Sequence, residues 1–169
     1  MSQYRRIFIP GGTYFFTVVT YKHKPIFNDK KTNELFNKMW RHVSKNHPFT
    51  TDAFCLLPDH FHCVITLPEN DSNYPLRIRE IKRLFSRMYR IYDNDSINVS
   101  RLKRAERTIW QRRYWEHTIR NDKDLDHHIQ YIHFNPVKHG YVERVKDWHF
   151  SSFHQYVRLG LVDENWGEG

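Results

Sequence analysis

Two pairs of residues in this 169-residue chain have types and spacings that could do chemistry: His60 with His62, and Tyr131 with Asn135. On an extended strand alternate side chains point the same way. The imidazoles of His60-Phe61-His62 can therefore offer two neutral nitrogens to one divalent metal, provided a third ligand arrives from elsewhere. On a helix, residues four apart stack one turn above the other, so the Tyr131 phenol and the Asn135 amide oxygen can project towards one point. Each pair also has a plainer reading. Among twelve histidines, two that lie two apart are a common accident, and a single helical tyrosine is usually a packing residue with a hydrated hydroxyl.

The elements that must position these groups can be read from local pattern. Asp52 to Leu57 and Phe61 to Leu67 are rich in β-branched, aromatic and apolar residues, and Pro58-Asp59 between them is turn chemistry, which predicts a β-hairpin. Phe61, Cys63, Ile65 and Leu67 then share one strand face, and His60, His62, Val64 and Thr66 the other. Thr13 to Tyr21 is the strongest β segment and predicts a central strand. Asn28 or Asp29 caps a helix that runs to His47, with Leu35, Phe36, Met39, Trp40 and Val43 at helical spacing before His47-Pro48 stops it. Pro75 opens a second helix whose Ile81, Leu84, Phe85, Met88 and Tyr92 form an apolar stripe, while Arg79, Arg83, Arg87 and Arg90 form its basic face. Tyr114 to Ile119 reads as a short strand. Asp122 caps a last helix from Lys123 to Phe134, which Asn135-Pro136 ends. Its buried stripe is Leu125, Ile129 and Ile132; Asp124, His128, Tyr131 and Asn135 gather on an adjoining face.

The order strand, helix, hairpin, helix, strand predicts an α+β fold. The expected architecture is a ferredoxin-like or RRM-like sandwich: an antiparallel sheet with helices on one face and the C-terminal, tyrosine-bearing helix at the active site. The length fits one domain, residues 1–169, with 148–169 as a C-terminal tail.

Lys and Arg number 27 against 19 acidic residues, a formal +8, which is the footprint of a polyanion binder and points first to nucleic acid. The densest patch is Arg101, Lys103, Arg104, Arg107, Arg112 and Arg113, after an aperiodic loop from Asp93 to Ser100. It interleaves with Trp110, Tyr114 and Trp115, pairing phosphate-neutralising charge with stacking surface as single strands require. Cys55 and Cys63 fall on the two hairpin strands and read as reduced thiols of a cytoplasmic protein. A zinc site made of Cys55, His60, His62 and Cys63 is disfavoured because Cys63 points away from both histidines on a regular strand. No apolar run approaches a membrane span, and no signal-peptide core follows Met1 to Arg6. Paired carboxylates of the two-metal nuclease kind and a Gly-rich phosphate loop are both missing.

Several longer segments carry a family resemblance. Tyr4-Arg5-Arg6, Gly11-Gly12-Thr13, His60-Phe61-His62 after Leu57-Pro58, Trp110 to His117, Tyr131 to Gly140 and Trp148 to Phe153 together resemble the REP-associated tyrosine transposases. These are relatives of the single-tyrosine HUH transposases of small bacterial insertion sequences. The resemblance implies that Tyr131 is the nucleophile, that His60 and His62 are metal ligands and that Asn135 is the third ligand. The wider superfamily usually carries Gln at that third position, and the shorter Asn requires the helix to lie closer to the sheet. It further implies Mg²⁺ or Mn²⁺, attack on a single-stranded DNA phosphate, a 5′-phosphotyrosine intermediate and a free 3′-hydroxyl that can rejoin strands. The implied substrate is a hairpin of a repetitive extragenic palindrome with a short single-stranded foot at its 5′ side. Arg5, Arg6, Arg79, Arg83, Arg87, the patch from Arg101 to Arg113, Trp110 and Trp115 are the candidates for gripping it. Insertion-sequence relatives work as dimers, whereas this branch is expected to act as a monomer, cytoplasmic and nucleoid-associated.

Two other classes share parts of this pattern. A catalytically inactive RRM-like hairpin-binding module would have the fold and the charge but no use for a histidine pair facing a tyrosine helix. A replication or mobilisation initiator with the same chemistry would normally carry further domains.

Overall fold

The computed structural model describes residues 5–92 and 109–169. The expected loop from Asp93 to Ser100 and the candidates Arg101, Lys103, Arg104 and Arg107 lie outside the described residues.

Strand β1 (Thr13–Val19) is followed by helix α1 (Lys30–Asn46), β2 (Thr50–Leu57), β3 (His60–Thr66), α2 (Tyr74–Tyr92), β4 (Trp115–Thr118), α3 (Asp122–Lys138) and the short α4 (Phe153–Arg158). The strands form one antiparallel sheet in the order β2-β3-β1-β4. Up to β4 this is the βαββαβ order of the expected ferredoxin-like sandwich.

Alternation in the strands divides the interior in two. Tyr14, Phe16, Val18, Phe61, Cys63 and Ile65 face α1 and α2, where they meet Phe36, Trp40, Val43, Ile78, Ile81 and Phe85. Phe15, Ala53, Cys55, Leu57 and Val64 face the opposite way and pack on Ile132 of α3. The two earlier helices therefore cover one face and the tyrosine helix the other. Asp29 caps α1 as expected, its side chain accepting from the Thr32 N–H at 2.8 Å.

Three expectations need correction. Trp110 is 4% exposed and packs among Phe27, Phe36, Phe61 and Phe85. With its ring faces taken by the core, it offers no platform for stacking on DNA bases. Asn121, not Asp122, caps α3, its side chain accepting from the Asp124 N–H. Nor does α3 end at Asn135-Pro136: it continues to Lys138 with Pro136 inside it. The actual stop is Gly140 at φ +73°, where Gly140 N–H donates to the Val137 carbonyl and Tyr141 N–H to that of Pro136, a Schellman ending. Burial of Ile132, His133, Asn135 and Pro136 compensates for the hydrogen bond the proline cannot make.

Residues 148–158, in the expected C-terminal tail, pack along β2. The Leu56 N–H donates to the Phe150 carbonyl, the Ser152 N–H to that of Phe54, and the Trp148 indole to that of Leu56. The Ser152 hydroxyl accepts from the Phe54 N–H and is hydrogen-bonded to Nε2 of buried His133 at 2.8 Å. Burial, reinforced by His154, lowers the His133 pKa to about 4. Since the unfolded imidazole titrates near pH 6.5, the unfolded chain binds the extra proton first, and stability is lost as pH falls from about 6.5 towards 4, by on the order of 3 kcal/mol from this residue. Urea midpoints at pH 7 and pH 5 should differ clearly less in His133→Gln than in the unaltered protein. An equal pH dependence in both would remove His133 as the source. Among the described residues no helix is long and apolar enough to cross a membrane.

Candidate active site

The site forms where β3 meets α3. The register of β3 on β1 puts Thr17 opposite His62 and Val19 opposite His60. Both imidazoles are on the α3 face and nearly covered, His60 at 7% exposure and His62 at 3%. Their ring centroids lie 4.8 Å apart.

Each ring is held through Nδ1. His60 Nδ1 lies 2.6 Å from Asp59 Oδ1, and the other oxygen of that carboxylate is 2.9 Å from His23 Nδ1. Partial burial pushes the Asp59 pKa up, but the hydrogen bonds from His60 and His23 outweigh it, so the carboxyl titrates below its usual range. His62 Nδ1 lies 2.8 Å from Thr17 Oγ1. Nε2 of each histidine is thereby left for the site, the arrangement of metal-binding imidazoles, whose second nitrogen is oriented by an outer carboxylate or hydroxyl.

The opposite wall comes from α3. The Tyr131 ring stands edge-on to His62 at 5.3 Å and to Phe15 at 5.9 Å. Asn135 is fully buried, and neither its Oδ1 nor its Nδ2 has a hydrogen-bond partner; His62 Nε2 is likewise buried and unpartnered. Buried polar atoms are almost always satisfied, because desolvating one without a partner costs on the order of 1–3 kcal/mol. Of these orphaned atoms, His62 Nε2 and Asn135 Oδ1 are lone-pair donors that fit a divalent cation, one nitrogen from imidazole and one oxygen from a neutral amide. Burial, with His60 and His139 nearby, lowers the His62 pKa to about 3, although the neighbouring Asn135 amide works the other way. The ring is thus neutral and able to ligate throughout the physiological range.

Sequence reasoning picked out His60, His62, Tyr131 and Asn135, and the fold brings all four together. It passed over Asp59, Thr17, Lys138 and His139. Lys138 holds its ammonium 4.8 Å from the centre of the Tyr131 ring, and the His139 ring is 5.3 Å from that of His60. Both belong to the turn of α3 beyond Pro136, where a reading that stops the helix at proline could not place them. Asp59 adjoins His60 in sequence; Thr17 becomes a candidate only once β1 is paired with β3.

The basic candidates lie elsewhere. Arg5, Arg79, Arg83, Arg87, Arg112 and Arg113 are exposed, whereas Arg90 is half-buried. Arg83 is engaged by Glu80 at 2.7 Å. Arg6 reaches the nearly buried Glu116 at 3.3 Å and lies over the Tyr114 ring. A hollow of about 800 Å³ is lined by Tyr21, Lys82, Arg83, Gln111 and Arg112. It opens at the end of β1 where the Thr20 N–H donates to the Asp59 carbonyl, the same end of the sheet as His60. Trp115 is 57% exposed on β4.

Residues 10–135 match the family described as "Transposase IS200 like". A Haemophilus influenzae protein provisionally named a REP-associated tyrosine transposase is 48% identical over 99% of this chain and 94% of its own length. The Escherichia coli K12 protein named REP-associated tyrosine transposase is 42% identical over 98% of this chain and 91% of its own. Among solved structures, a REP-associated tyrosine transposase bound to a REP hairpin superposes with a TM-score of 0.85 at 40% identity, covering 100% of this chain and 93% of that one. A provisionally assigned transposase from Deinococcus radiodurans R1, at 16% identity and a TM-score of 0.50 over 77% of this chain and 95% of that one, shares the fold.

Proposed function

From the premise that this chain belongs to the IS200-like transposase family, whose members transfer DNA strands, we propose that Tyr131 is its nucleophile and that His60, His62 and Asn135 hold Mg²⁺ or Mn²⁺. One observation carries the reading: the Tyr131 ring stands against His62 in the pocket where His62 Nε2 and the Asn135 amide lie buried without partners.

In the reaction the Tyr131 oxygen bonds to the phosphorus of a single-stranded DNA backbone. The 3′-oxygen leaves with its bonding electrons and takes up a proton, while the phenol gives its own up. The product is a 5′-phosphotyrosine with a free 3′-hydroxyl. The phosphodiester energy is kept, so attack by a 3′-hydroxyl reverses the step and joins strands. A bound divalent ion supplies polarisation of a phosphoryl oxygen and stabilisation of the departing one, which a weakly nucleophilic phenol needs. Asp59 and Thr17 fix the imidazoles, and Lys138 sets a positive charge beside the point of attack.

The substrate is a DNA hairpin, as the hairpin-bound relative supports, and on this reading it carries a 5′ single-stranded foot. Arg5, Arg79, Arg83, Arg87, Arg112 and Arg113, together with Arg101, Lys103, Arg104 and Arg107, neutralise its phosphates; Arg6 does so in exchange with Glu116, and Trp115 offers a stacking face. The protein acts as a monomer in the cytoplasm, associated with the nucleoid.

A labelled hairpin oligonucleotide with a free foot should yield a denaturant-resistant protein–DNA adduct once Mg²⁺ or Mn²⁺ is added. Fluorescence anisotropy should show that pairing the foot with a complement costs far more affinity than changing the stem sequence. Equal binding to the free-foot hairpin, the paired-foot hairpin and plain duplex, with no adduct, would reduce the protein to a nonspecific basic domain.

A further inference from the structure

A second group of metal-ligating side chains lies beside the candidate active site and takes no part in the chemistry above. His117 on β4 and Asp124 and His128 on α3 each present one ligand atom within 4.8 Å of the other two. His117 Nε2 is 2.9 Å from Asp124 Oδ2, and His128 Nδ1 is 3.2 Å from Asp124 Oδ1. Two nitrogen or oxygen ligands of a tetrahedral zinc ion, each 2.0–2.1 Å from it, stand about 3.3 Å apart, so small movements suffice to admit an ion. The imidazoles are stacked, 4.7 Å between centroids.

The cluster is built into the fold. Asp124 and His128 are one helical turn apart, and His117 reaches them because β4 pairs on β1 with His117 opposite Phe15. The Arg120 N–H donates to Asp124 Oδ2 at 2.9 Å and fixes the carboxylate. All three side chains are 17–24% exposed, open enough for an ion to enter and covered enough to hold it. The Phe15 ring stands between this cluster and the first site, 4.8 Å from His128 and 5.7 Å from His62. The two donor sets are thus separate, and they differ in kind: the first offers a neutral amide, the second an ionised carboxylate. Burial raises the Asp124 pKa, but the hydrogen bonds from His117 and Arg120 prevail and keep it low.

We propose that His117, Asp124 and His128 form a second metal site, of the zinc class, which clips the four-residue strand β4 to the first turns of the helix that carries Tyr131. Two imidazoles and one carboxylate with a fourth position left to water suit zinc better than magnesium. On binding, each imidazole turns over the nitrogen now facing Asp124: a neutral ring moves its proton to the other nitrogen, and a protonated ring releases one. His128 also gives up its contact with the Asp124 backbone carbonyl, 2.8 Å away.

The test is calorimetric titration of the full chain with Zn²⁺, with the thermal unfolding midpoint followed in parallel. Two ions per chain are expected, and His128→Asn and His117→Asn should each weaken one of them by about 100-fold while leaving the other intact. His62→Ala should do the reverse. The Zn²⁺-dependent rise in midpoint that remains in His62→Ala should vanish when His128→Asn is added. Should His128→Asn fail to fold, His117→Asn on the short strand gives the same readout. Unchanged stoichiometry and affinity in both cluster variants would overturn the proposal. Because no readout depends on DNA cleavage, failure of this site and failure of the strand-transfer reading are distinguishable.

Discussion

Tyr131→Phe should lose the covalent DNA adduct altogether, with cleavage down by about 10⁴-fold or more, because the proposed nucleophilic oxygen is gone. Hairpin affinity should stay within a few-fold, since one hydroxyl leaves a half-buried residue whose ring keeps its contacts with His62 and Phe15. Stability should change by less than about 0.5 kcal/mol, since among the described residues that hydroxyl makes no hydrogen bond. Denaturing electrophoresis with a labelled hairpin, paired with anisotropy on the same oligonucleotide, separates the two effects. Tyr114 is the control: its ring packs on Phe16 and under Arg6, far from the histidine pair in the architecture. An adduct that survives Tyr131→Phe and disappears in Tyr114→Phe would move the chemistry to the β4 side of the sheet.

The second large effect is expected from the histidines. His62→Ala and His60→Ala should each reduce cleavage by on the order of 100-fold or more and weaken Mn²⁺ binding at this site by at least about 10-fold. His62→Ala also removes a buried ring and its bond to Thr17, at a cost of about 1–3 kcal/mol. That is less than the 5–15 kcal/mol typical of a folded domain, so the variant should remain folded, as circular dichroism will show. Calorimetry with Mn²⁺ decides the matter: full affinity in both variants would return the pair to a structural role. Thr17→Val should fall between, since it leaves both ligands but frees the His62 ring to rotate.

Much of this was legible in local pattern. Strand alternation set His60 and His62 on one face, helical spacing aligned Tyr131 with Asn135, and Asp29 was a readable cap. What escaped local reading depends on long-range pairing. Thr17 meets His62 across 45 positions, and nothing near Thr17 announces it. Trp110 sits amid arginines in sequence, yet its bridge to Thr20 carries the indole into the aromatic core. The helix end misled because Pro136 is normally a breaker, whereas here tertiary burial and the Gly140 ending outweigh it. That extra turn is what brings Lys138 over the tyrosine.

The segment that runs beside β2 has a consequence for assembly. An open sheet edge is a template on which another chain can add a strand. Here Phe150 and Ser152 already occupy the main-chain groups of Phe54 and Leu56, and the far edge is the four-residue β4. The sheet therefore offers little room for a second copy to extend it. Strand addition is thus disfavoured at both ends of the sheet, for a second copy as for any other extended segment.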